Sequence, residues 1–494
     1  MTRRDFLASV VAASLVAKGA RPNIVLILAD DLGYGDLGCF GQKMIATPHI
    51  DRFAAEGTRF TQTYAGASVC APSRCCLMTG LHTGHAHIRG NFGPNGERVS
   101  LRPKDVTVAR VLKAAGYRTA CIGKWGLGEA GTAGVPNSQG FDEWFGFLNQ
   151  DHALEYFPTH LWDNSREIFP AGNQGAKRND YVQDLFTRRA VDFIGKMDSS
   201  PFFLYLAFTL PHANSELGRD TGNGFPVPNF GPYGDRPWPA PEKGFAATMS
   251  HLDDSVGRVV ETLRARNLER NTLVIFTSDN GPAVDAGHTP DFFGSRGQLR
   301  GAKGSLFEGG IRVPAIARWP GTVPAGVVSR APWAFWDFLP TAAELAGSSG
   351  CPATDGRSIV PLLSAGIDPS ERFFYWEQTN NGVLQQAARI GKWKALRQGK
   401  PGSRVSLFDL SADPGELVDR AQGHPEVVGQ VEVLLQKAHV EPTDQPAGKK
   451  QPAGLPRGRP AHLALQETNA PADCLLVDVD DAKAPPGPQK DSRI

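Results

Sequence analysis

One short run of the 494-residue chain places a cysteine, a proline and an arginine at alternate positions: Cys70, Pro72 and Arg74. Each residue also has an ordinary structural explanation. A single cysteine is commonly a small buried apolar residue, Pro72 suits the first turn of a helix, and Arg74 could lie on a solvated helix face. The run continues to Thr79 and Gly80, which predicts a short helix. A potential nucleophile therefore stands at a helix start.

Oxygen-bearing side chains follow two apolar runs that lie far apart in the sequence. Asp30 and Asp31 follow the first run, and Asp279 and Asn280 follow the second. A single Asp-Asp pair is equally well explained by turn formation or helix capping. Two such pairs at matching strand ends provide the hard ligands that Ca²⁺ or Mg²⁺ prefers. They need neither imidazole nor thiolate, which disfavours zinc.

Three further side chains are candidates for binding an anion. Lys124 and Lys303 lie in glycine-flanked loops after apolar segments, and His212 follows the apolar run at residues 202–208. A lone lysine is ordinarily solvated, so neither is informative by itself. Cleavage of a sulfate ester places charge on the bridging oxygen, which requires cations and donors around the sulfuryl group. A histidine can bind the anion or protonate the leaving alcohol.

Taken in chain order, these motifs resemble those of the type I, formylglycine-dependent sulfatases of the alkaline phosphatase-like superfamily. The resemblance covers roughly residues 21–440 and includes Asp30-Asp31, the run from Cys70 to Gly80, Gly123-Lys124-Trp125, His212, Asp279-Asn280 and Lys303. In that family, Cys-x-Pro-x-Arg is the sequence that a formylglycine-generating enzyme recognises when it oxidises the cysteine to an aldehyde. The resemblance therefore implies this enzyme as a maturation partner and formylglycine at position 70.

The resemblance also implies a role for each residue. Arg74 would anchor the hydrated aldehyde. Sulfate would be bound by Lys124, His212 and Lys303. A Ca²⁺ ion, with Mg²⁺ as the alternative, would be held by the Cys70-derived group together with Asp30, Asp31, Asp279 and Asn280.

The implied reaction has two steps. One hydroxyl of the hydrated aldehyde attacks sulfur and displaces the alcohol, which leaves a covalent sulfate hemiester. Deprotonation of the second hydroxyl then expels sulfate and regenerates the aldehyde. An unmodified cysteine or a serine has no second hydroxyl to drive this collapse, so the modification explains why the reaction can be split in two.

One position departs from the family pattern. Many members have histidine two positions after the lysine, where it contacts the diol and acts as the base, but this chain has Gly126. Either the base is missing and turnover is slow, or another histidine occupies the space. His152 is the first candidate, and His85 and His87 are the second. All three are equally explained as structural or surface histidines.

The apolar and amphipathic segments alternate, which predicts an α/β fold with a large mixed sheet flanked by helices. In such sheets the polar residues at the carboxyl ends of strands line the site. Strands are predicted at residues 23–28, 119–122, 202–208 and 272–277. Helices are predicted at residues 47–56, 106–116, 181–197 and 245–267.

From about residue 371 the pattern changes to short strands separated by turns. These segments predict a smaller antiparallel sheet with a packed helix; the strands are residues 373–377, 387–390, 393–397 and 406–409, and the helix is residues 425–438. A long Gly/Pro/Asn-rich segment at residues 213–243 is predicted as a loop. It either covers the substrate or is a solvated insertion.

Composition and the N-terminal sequence indicate the binding partners, the redox class and the location of the protein. The net charge of +1 gives no field that attracts nucleic acid, no internal segment is long and apolar enough to span a membrane, and seven cysteines are too few for a disulfide scaffold. Arg3 and Arg4, followed by a short apolar run, indicate a twin-arginine export signal and a periplasmic or extracellular bacterial protein. The predicted organisation is an export signal at 1–20, a catalytic domain at 21–365, a small subdomain at 366–440, and a mostly disordered tail at 441–494.

The sequence thus predicts a hydrolase of sulfate monoesters, acting on a sulfated sugar or polysaccharide. Four aromatic residues are candidates for stacking on sugar rings, although each could equally belong to the core: Trp144, Phe145, Trp162 and Trp376. One alternative is a phosphatase, phosphonate or phosphodiester hydrolase of the same superfamily. Another is an exported carbohydrate-binding relative that Gly126 has inactivated. The sequence does not determine the oligomeric state or the position of the sulfate.

Overall fold

The computed structural model describes residues 21–93, 96–368 and 372–441. Within these residues, eleven strands form one mixed sheet in the order β10-β2-β9-β8-β1-β7-β3-β4-β5-β6, with β11 also paired to β2. The strands are β1 Asn23–Asp30, β2 Thr58–Tyr64, β3 Arg118–Lys124, β4 Glu143–Phe147, β5 Leu161–Asp163, β6 Arg166–Ile168, β7 Phe202–Pro211, β8 Thr272–Ser278, β9 Arg312–Arg318, β10 Val327–Ser329 and β11 Trp333–Ala334.

The centre of this sheet is parallel. β1 pairs in parallel with β7 on one side and with β8 on the other, and β3 pairs in parallel with β7 and β4. Every residue of β1, β7 and β8 is buried, because helices cover both faces. The carboxyl ends of these strands therefore meet at one edge of the sheet, where the predicted polar residues stand.

Helices cover both faces of the sheet, and the sheet separates two apolar cores, since alternate residues of β1 belong to each. Those of the large domain are α1 Pro48–Ala55, α2 Cys70–Thr79, α3 Val108–Ala114, α4 Val182–Gly195, α5 Ser215–Thr221, α6 Ala240–Ala265, α7 Pro290–Phe293, α8 Glu308–Ile311, α9 Phe338–Leu345 and α10 Val360–Ala365. The α/β prediction is confirmed. The long helix α6 begins five residues earlier than predicted, since Pro241 fits its first turn.

The segment at residues 213–243 differs from the predicted irregular loop. It contains the helix α5, capped by Asn214, whose side chain accepts a hydrogen bond from the Leu217 amide. A 3₁₀ turn follows at Gly231–Tyr233, and α6 begins at Ala240. The Asn and Gly residues that indicated a loop serve here as helix caps, because Asn accepts at a helix start and glycine adopts the left-handed conformation at its end.

A second, four-stranded antiparallel sheet follows, as predicted. Its strands are β12 Phe373–Asn380, β13 Val383–Ile390, β14 Trp393–Gln398 and β15 Val405–Asp409, and the helix α11 Pro425–Ala438 packs on one face. The other face of β12 contacts the large sheet. Trp376 is buried against Tyr64, and its indole N–H donates to the carbonyl of Ala65 at 2.9 Å.

Buried charges also join the two sheets. Lys394 of β14 donates to Glu308 Oε1 at 3.0 Å and to Glu416 Oε1 at 3.4 Å. The Glu416 carboxylate also accepts from the Glu308 amide at 2.6 Å, and Tyr64 donates to Glu308 Oε2 at 2.7 Å. Arg312 and Arg389 complete the group through Glu308 and Tyr64. We call these six residues the inter-sheet cluster.

All described residues belong to one compact unit. The boundary at residue 365 between a catalytic domain and a small subdomain stays a prediction. The predicted export signal at 1–20 and, apart from Glu441, the predicted disordered tail at 441–494 lie outside the described residues. Among the helices of the described part, none has the length and apolar character required to cross a membrane.

Candidate active site

The two acidic pairs are brought together by the parallel pairing of β1 and β8. Ala29 lies opposite Ser278 in the register, so the residues that follow each strand are neighbours. The Asp279 amide donates to the Ala29 carbonyl at 3.1 Å, and the Asp31 amide donates to Asp279 Oδ1 at 3.2 Å. The sequence expectation that the two strand ends converge is met in the structure.

Asp31 has an unusual backbone. Its φ is 63°, in the left-handed region that non-glycine residues rarely adopt. The next residue is held by a hydrogen bond from the Leu32 amide to Ser278 Oγ at 2.9 Å. This conformation turns the chain sharply after β1, and strain of this kind is typical of sites where a side chain must be aimed.

Cys70 is the first residue of α2 and is buried. Its Sγ lies 3.4 Å from Asp30 Oδ1. The helix is anchored by Ser73, whose hydroxyl donates to the Asp279 carbonyl at 2.5 Å and accepts from the Gly66 amide at 3.0 Å. Gly80, at φ 71°, ends the helix as its sequence predicted.

Arg74 lies one helical turn after Cys70 and is completely buried. Its Nε and Nη2 donate to Asp279 Oδ2 at 2.9 and 2.7 Å, and its Nη1 donates to the carbonyl of Lys124 at 2.7 Å. Asp30 lies 3.4 Å from the same guanidinium. A buried arginine needs such partners, and here they connect α2 to the ends of β1, β3 and β8.

The two lysines pair with the acidic residues. Lys124, the last residue of β3, donates to Asp30 Oδ2 at 2.6 Å. Lys303 donates to Asp31 Oδ2 at 2.8 Å and lies 3.0 Å from His212 Nε2. Lys124 is buried, whereas the side chain of Lys303 is 21% exposed. Lys303 therefore borders the solvent side of the group.

The contacts of His212 indicate its tautomer. Its Nδ1 lies 2.6 Å from the carbonyl of Ala213, which can only accept, so Nδ1 carries the proton. Nε2 then presents a lone pair to the Lys303 ammonium. Burial, followed by the charge of Lys303, lowers the His212 pKa. The ring is consequently neutral, with its acceptor nitrogen facing the cluster.

We call the nine convergent residues the strand-end cluster: Asp30, Asp31, Cys70, Arg74, Lys124, His212, Asp279, Asn280 and Lys303. Burial alone would raise the Asp30 pKa, but Lys124, His212 and Arg74 together hold it well below its usual range. Burial and the adjacent Asp30 carboxylate raise the pKa of Asp279 to about 6. Burial and the carboxylates of Asp279 and Asp30 raise the pKa of the Cys70 thiol, so the unmodified residue is a protonated thiol.

The donor set fits a hard divalent cation. Ligand atoms of Asp30, Asp31, Cys70 and His212 lie within 4.8 Å of one another. Asn280 donates through Nδ2 to Asp31 Oδ1 at 2.7 Å, while its Oδ1 is buried and finds no hydrogen-bond partner among the described residues. A buried oxygen without a donor is costly, and coordination of a cation would satisfy it. Asp30, Asp31, Asp279 and Asn280 could hold such an ion.

The space beside Gly126 is occupied by Gln150, which the sequence did not indicate. Gly126 has φ 77°, and a Cβ placed on it would lie 2.3 Å from Gln150 Nε2 and 3.9 Å from Arg74 Cδ. The Gln150 Nε2 atom is buried and has no hydrogen-bond partner in the described part of the chain. A partly buried glutamine in a polar loop has no sequence signature, so only the structure could find it.

The three candidate histidines have other contacts. His152 stacks on His160, packs edge-on against Phe147, and places Nε2 3.0 Å from the His160 carbonyl. His85 pairs with Asp355 at 2.8 Å. These contacts of His152 and His85 are made with residues outside the strand-end cluster. Their catalytic role stays a prediction, without support from these contacts.

The small sheet reaches the site through Gln378, another residue that the sequence did not indicate. Its Oε1 accepts from Ser68, two residues before Cys70, and its Nε2 donates to the Gly304 carbonyl at 2.8 Å, next to Lys303. Only tertiary packing brings β12 to these loops. Of the aromatic residues considered for sugar stacking, Trp144, Phe145 and Trp376 are buried in the core, and Trp162 alone is partly exposed.

The fold and the strand-end cluster define an enzyme of α/β architecture whose site suits an anionic ester. The sequence model of the Sulfatase family matches residues 22–348. The chain is 34% identical over 467 residues to N-acetylgalactosamine-6-sulfatase of Sus scrofa, covering 84% of this chain and 85% of the relative. It is 34% identical over 492 residues to human arylsulfatase A, covering 89% and 91%.

Among solved structures, the chain resembles Ps i-CgsB in complex with k-i-k-neocarrahexaose. The TM-score is 0.73 at 30% identity, with 87% of this chain and 95% of that chain covered. The chain therefore belongs to the sulfatase family, and it hydrolyses sulfate esters. The prediction of a sulfatase with an alkaline phosphatase-like fold is confirmed. The family generally uses formylglycine and a divalent metal.

Proposed function

We propose that the chain hydrolyses sulfate monoesters of a sulfated sugar or polysaccharide, with formylglycine made from Cys70 as the nucleophile and Ca²⁺ bound beside it. The observation that carries this proposal is the position of Cys70. Its Sγ, which stands where the hydrated aldehyde would be, lies 3.4 Å from Asp30 and within one cluster of carboxylates, lysines and His212. A structural cysteine requires none of these neighbours.

Four residues would hold the cation: Asp30, Asp31, Asp279 and Asn280. Their oxygens favour Ca²⁺, or Mg²⁺, over zinc. The ion would supply positive charge at the sulfuryl group, and formylglycine would supply the attacking hydroxyl and the second hydroxyl needed for sulfate release. The unpartnered Oδ1 of Asn280 supports the metal assignment.

The chain's own cations would neutralise the sulfate. Lys124 and Lys303 are held by Asp30 and Asp31, so a divalent ion that takes over these carboxylates would leave both ammonium groups to bind sulfate oxygens. Arg74 would position Asp279 and the nucleophile through its three hydrogen bonds. His212 presents an acceptor nitrogen, Nε2, in this structure, so it would have to take up a proton there before it could donate to a sulfate oxygen or to the leaving alcohol.

The substrate class rests on the relatives. One is named N-acetylgalactosamine-6-sulfatase, and the similar solved structure is a complex with k-i-k-neocarrahexaose. We also propose that residues 1–20 direct twin-arginine export, which transports folded proteins and would let a formylglycine-generating enzyme act first in the cytoplasm. Fractionation of cells expressing the full chain, with and without Arg3→Lys/Arg4→Lys, tests the export route.

The reaction is tested by mass spectrometry of the tryptic peptide that carries residue 70, after co-expression with a formylglycine-generating enzyme. We expect an aldehyde in the wild type and an unmodified residue in Cys70→Ser. Hydrolysis of 4-nitrophenyl sulfate but not of 4-nitrophenyl phosphate should accompany the aldehyde. Chelator treatment should abolish the activity, and Ca²⁺ should restore it better than Mg²⁺. An intact thiol in fully active protein would refute the proposed nucleophile.

A further inference from the structure

A large cleft that is not part of the strand-end cluster lies between the edge of the large sheet and the small sheet. Its volume is about 810 Å³, within the range of about 300–1,000 Å³ typical of ligand sites. Its lining includes a single carboxylate, Asp368, and six cationic side chains: Arg59, Arg312, Arg330, Arg372, Arg389 and Lys392. We call it the arginine cleft.

Three of these cations are paired with carboxylates. Arg372 makes a bidentate contact with Asp337, Lys392 lies 2.6 Å from Asp409, and Arg312 lies 3.4 Å from Glu308. These groups have an evident structural role, so they contribute little net field to the cleft.

The other three cations make no direct ion pair. Within residues 21–93, 96–368 and 372–441, no carboxylate lies within ion-pairing distance of Arg59, Arg330 or Arg389. Arg59 donates to the Cys39 carbonyl and packs on Phe40. Arg59 and Arg330 therefore carry unpaired positive charge into the cleft, where Asp368 is the one acid among the described lining residues, and Arg389 adds a guanidinium that it shares with the inter-sheet cluster through Tyr64.

Arg389 shows that the cationic surface is partly fixed in place. It is 5% exposed and is held by Tyr64 Oη, Gln62 Oε1 and the carbonyl of Gly391. These contacts use three of the five N–H groups of a guanidinium, so two remain. A guanidinium held in this way loses little entropy when it binds sulfate or carboxylate oxygens. Arg330, by contrast, is exposed and can adapt to the ligand.

The strand β12 connects the cleft to the active site. Phe374 lines the cleft, and Gln378, on the same face of the strand, contacts Ser68 and Gly304 beside the strand-end cluster. Four residues of extended chain span about 13 Å, at roughly 3.3 Å per residue. Trp376, between these two residues on the same face, is buried, so a bound polymer would pass around β12 rather than along it.

We propose that the arginine cleft binds sulfate groups of a sulfated polysaccharide chain beyond the ester that is cleaved, and so anchors polymeric substrate. This inference rests on the proposed function, because it assigns the substrate as a chain with several sulfates. Arg389 and Arg59 provide the fixed charges, and Arg330 provides the exposed one.

The test compares two charge-matched double variants. Arg59→Gln/Arg330→Gln removes two cleft charges that make no ion pair with the described residues, and Arg52→Gln/Arg404→Gln removes two exposed charges elsewhere, with side chains 64% and 82% exposed. Binding of chondroitin 6-sulfate and of carrageenan is measured by calorimetry in a Cys70→Ser background, which cannot turn over. Steady-state kinetics with the same polymers and with 4-nitrophenyl sulfate are measured in the converted enzyme.

We expect the cleft variant to bind at least one polymer about tenfold more weakly, with a shallower salt dependence. Its KM for that polymer should rise by a similar factor, while kcat/KM for 4-nitrophenyl sulfate stays within twofold of wild type. Equal affinities in the two double variants would overturn the proposal, as would a parallel loss on the small substrate. Equal binding of duplex DNA would also overturn it, since the cleft would then select only for negative charge.

The outcomes separate this inference from the proposed function. An enzyme that cleaves 4-nitrophenyl sulfate but binds polymer equally in both double variants loses only the cleft assignment. A protein without an aldehyde at residue 70 that still shows cleft-dependent polymer binding loses only the proposed reaction.

Discussion

The strand-end cluster and the inter-sheet cluster are both buried groups of carboxylates and cations, but they are organised differently. In the inter-sheet cluster, Lys394, Glu308 and Glu416 have fully buried side chains, and each is hydrogen-bonded. In the strand-end cluster, Lys303 is partly exposed and Asn280 Oδ1 has no partner. Burial of ions is therefore not the mark of this active site. This active site is distinguished instead by a polar atom without a hydrogen-bond partner and by contact with solvent, because such groups remain available to bind a metal ion or an anionic substrate.

The largest effect on activity is expected when the strand-end cluster loses its proposed nucleophile while the protein stays folded. Cys70→Ala removes the residue that we propose becomes formylglycine, so kcat for 4-nitrophenyl sulfate should fall on the order of 10⁴-fold or more, as for other covalent nucleophiles. The thiol makes only one long contact, at 3.4 Å, so the melting temperature should change little. A variant that keeps more than a hundredth of wild-type kcat would place the nucleophile elsewhere.

The opposite result is expected for the inter-sheet cluster. Lys394→Met leaves two buried carboxylates without their shared cation, which should cost about 3–5 kcal/mol of unfolding free energy. Denaturant unfolding measures this loss. The kcat of the remaining folded enzyme should stay within about twofold of wild type, because Lys394 contacts no residue of the strand-end cluster. A large fall in kcat at unchanged stability would show that the two clusters are coupled.

Lys303→Ala sharpens the comparison inside the active site. Loss of one cation aimed at the sulfuryl group should lower kcat/KM by about 10²–10³-fold, in line with the removal of one oxyanion donor. The side chain is partly exposed, and its carboxylate partner Asp31 keeps the amide of Asn280, so stability should hardly change. Lys303→Arg is the matched control and should retain part of the activity. If both variants match wild type, sulfate is bound by other groups.

The pH dependence of stability should come from the inter-sheet cluster. Burial and the nearby charge of Glu308 raise the pKa of Glu416 to about 7, against the opposing effect of Lys394. A raised carboxyl pKa contributes stability that is complete below its unfolded value, near 4.5, and is lost as the pH rises towards 7. Glu416→Gln has no such titration, so its melting temperature relative to wild type should increase between pH 5 and pH 8. A constant difference across this range would contradict the assignment.

Most of the fold could be predicted from the sequence because the residue patterns that specify its strands and helices are local. Fully apolar runs identified β1, β7 and β8, and the residues that follow each run met at one sheet edge, as parallel pairing requires. Gln378 and the inter-sheet cluster escaped prediction because their partners lie on a second sheet far along the chain. The helix α5 was missed because Asn214 and Gly222 read as loop residues when they are caps.

The smallest expected effects concern Gln150 and His152, which again contrast a polar group that lacks a partner with one that is fully packed. Gln150 places an unpartnered amide beside Gly126 and Arg74, whereas His152 is packed between Phe147 and His160. We therefore expect Gln150→Ala to lower kcat about tenfold, or about 1.4 kcal/mol of transition-state energy. An amide does not titrate near neutral pH, so the pH profile of kcat should keep its shape.

His152→Ala should behave in the opposite way. It removes a buried ring and should lower the melting temperature, with kcat unchanged. If His152→Ala instead lowers kcat and removes one limb of the pH profile, His152 is the missing base, and its packed position would have to change when substrate binds. If neither variant alters kcat, another residue must act as the base that many family members supply at the position of Gly126. That residue would then belong to the strand-end cluster. His212 is then the first to examine, since its acceptor nitrogen already faces that cluster.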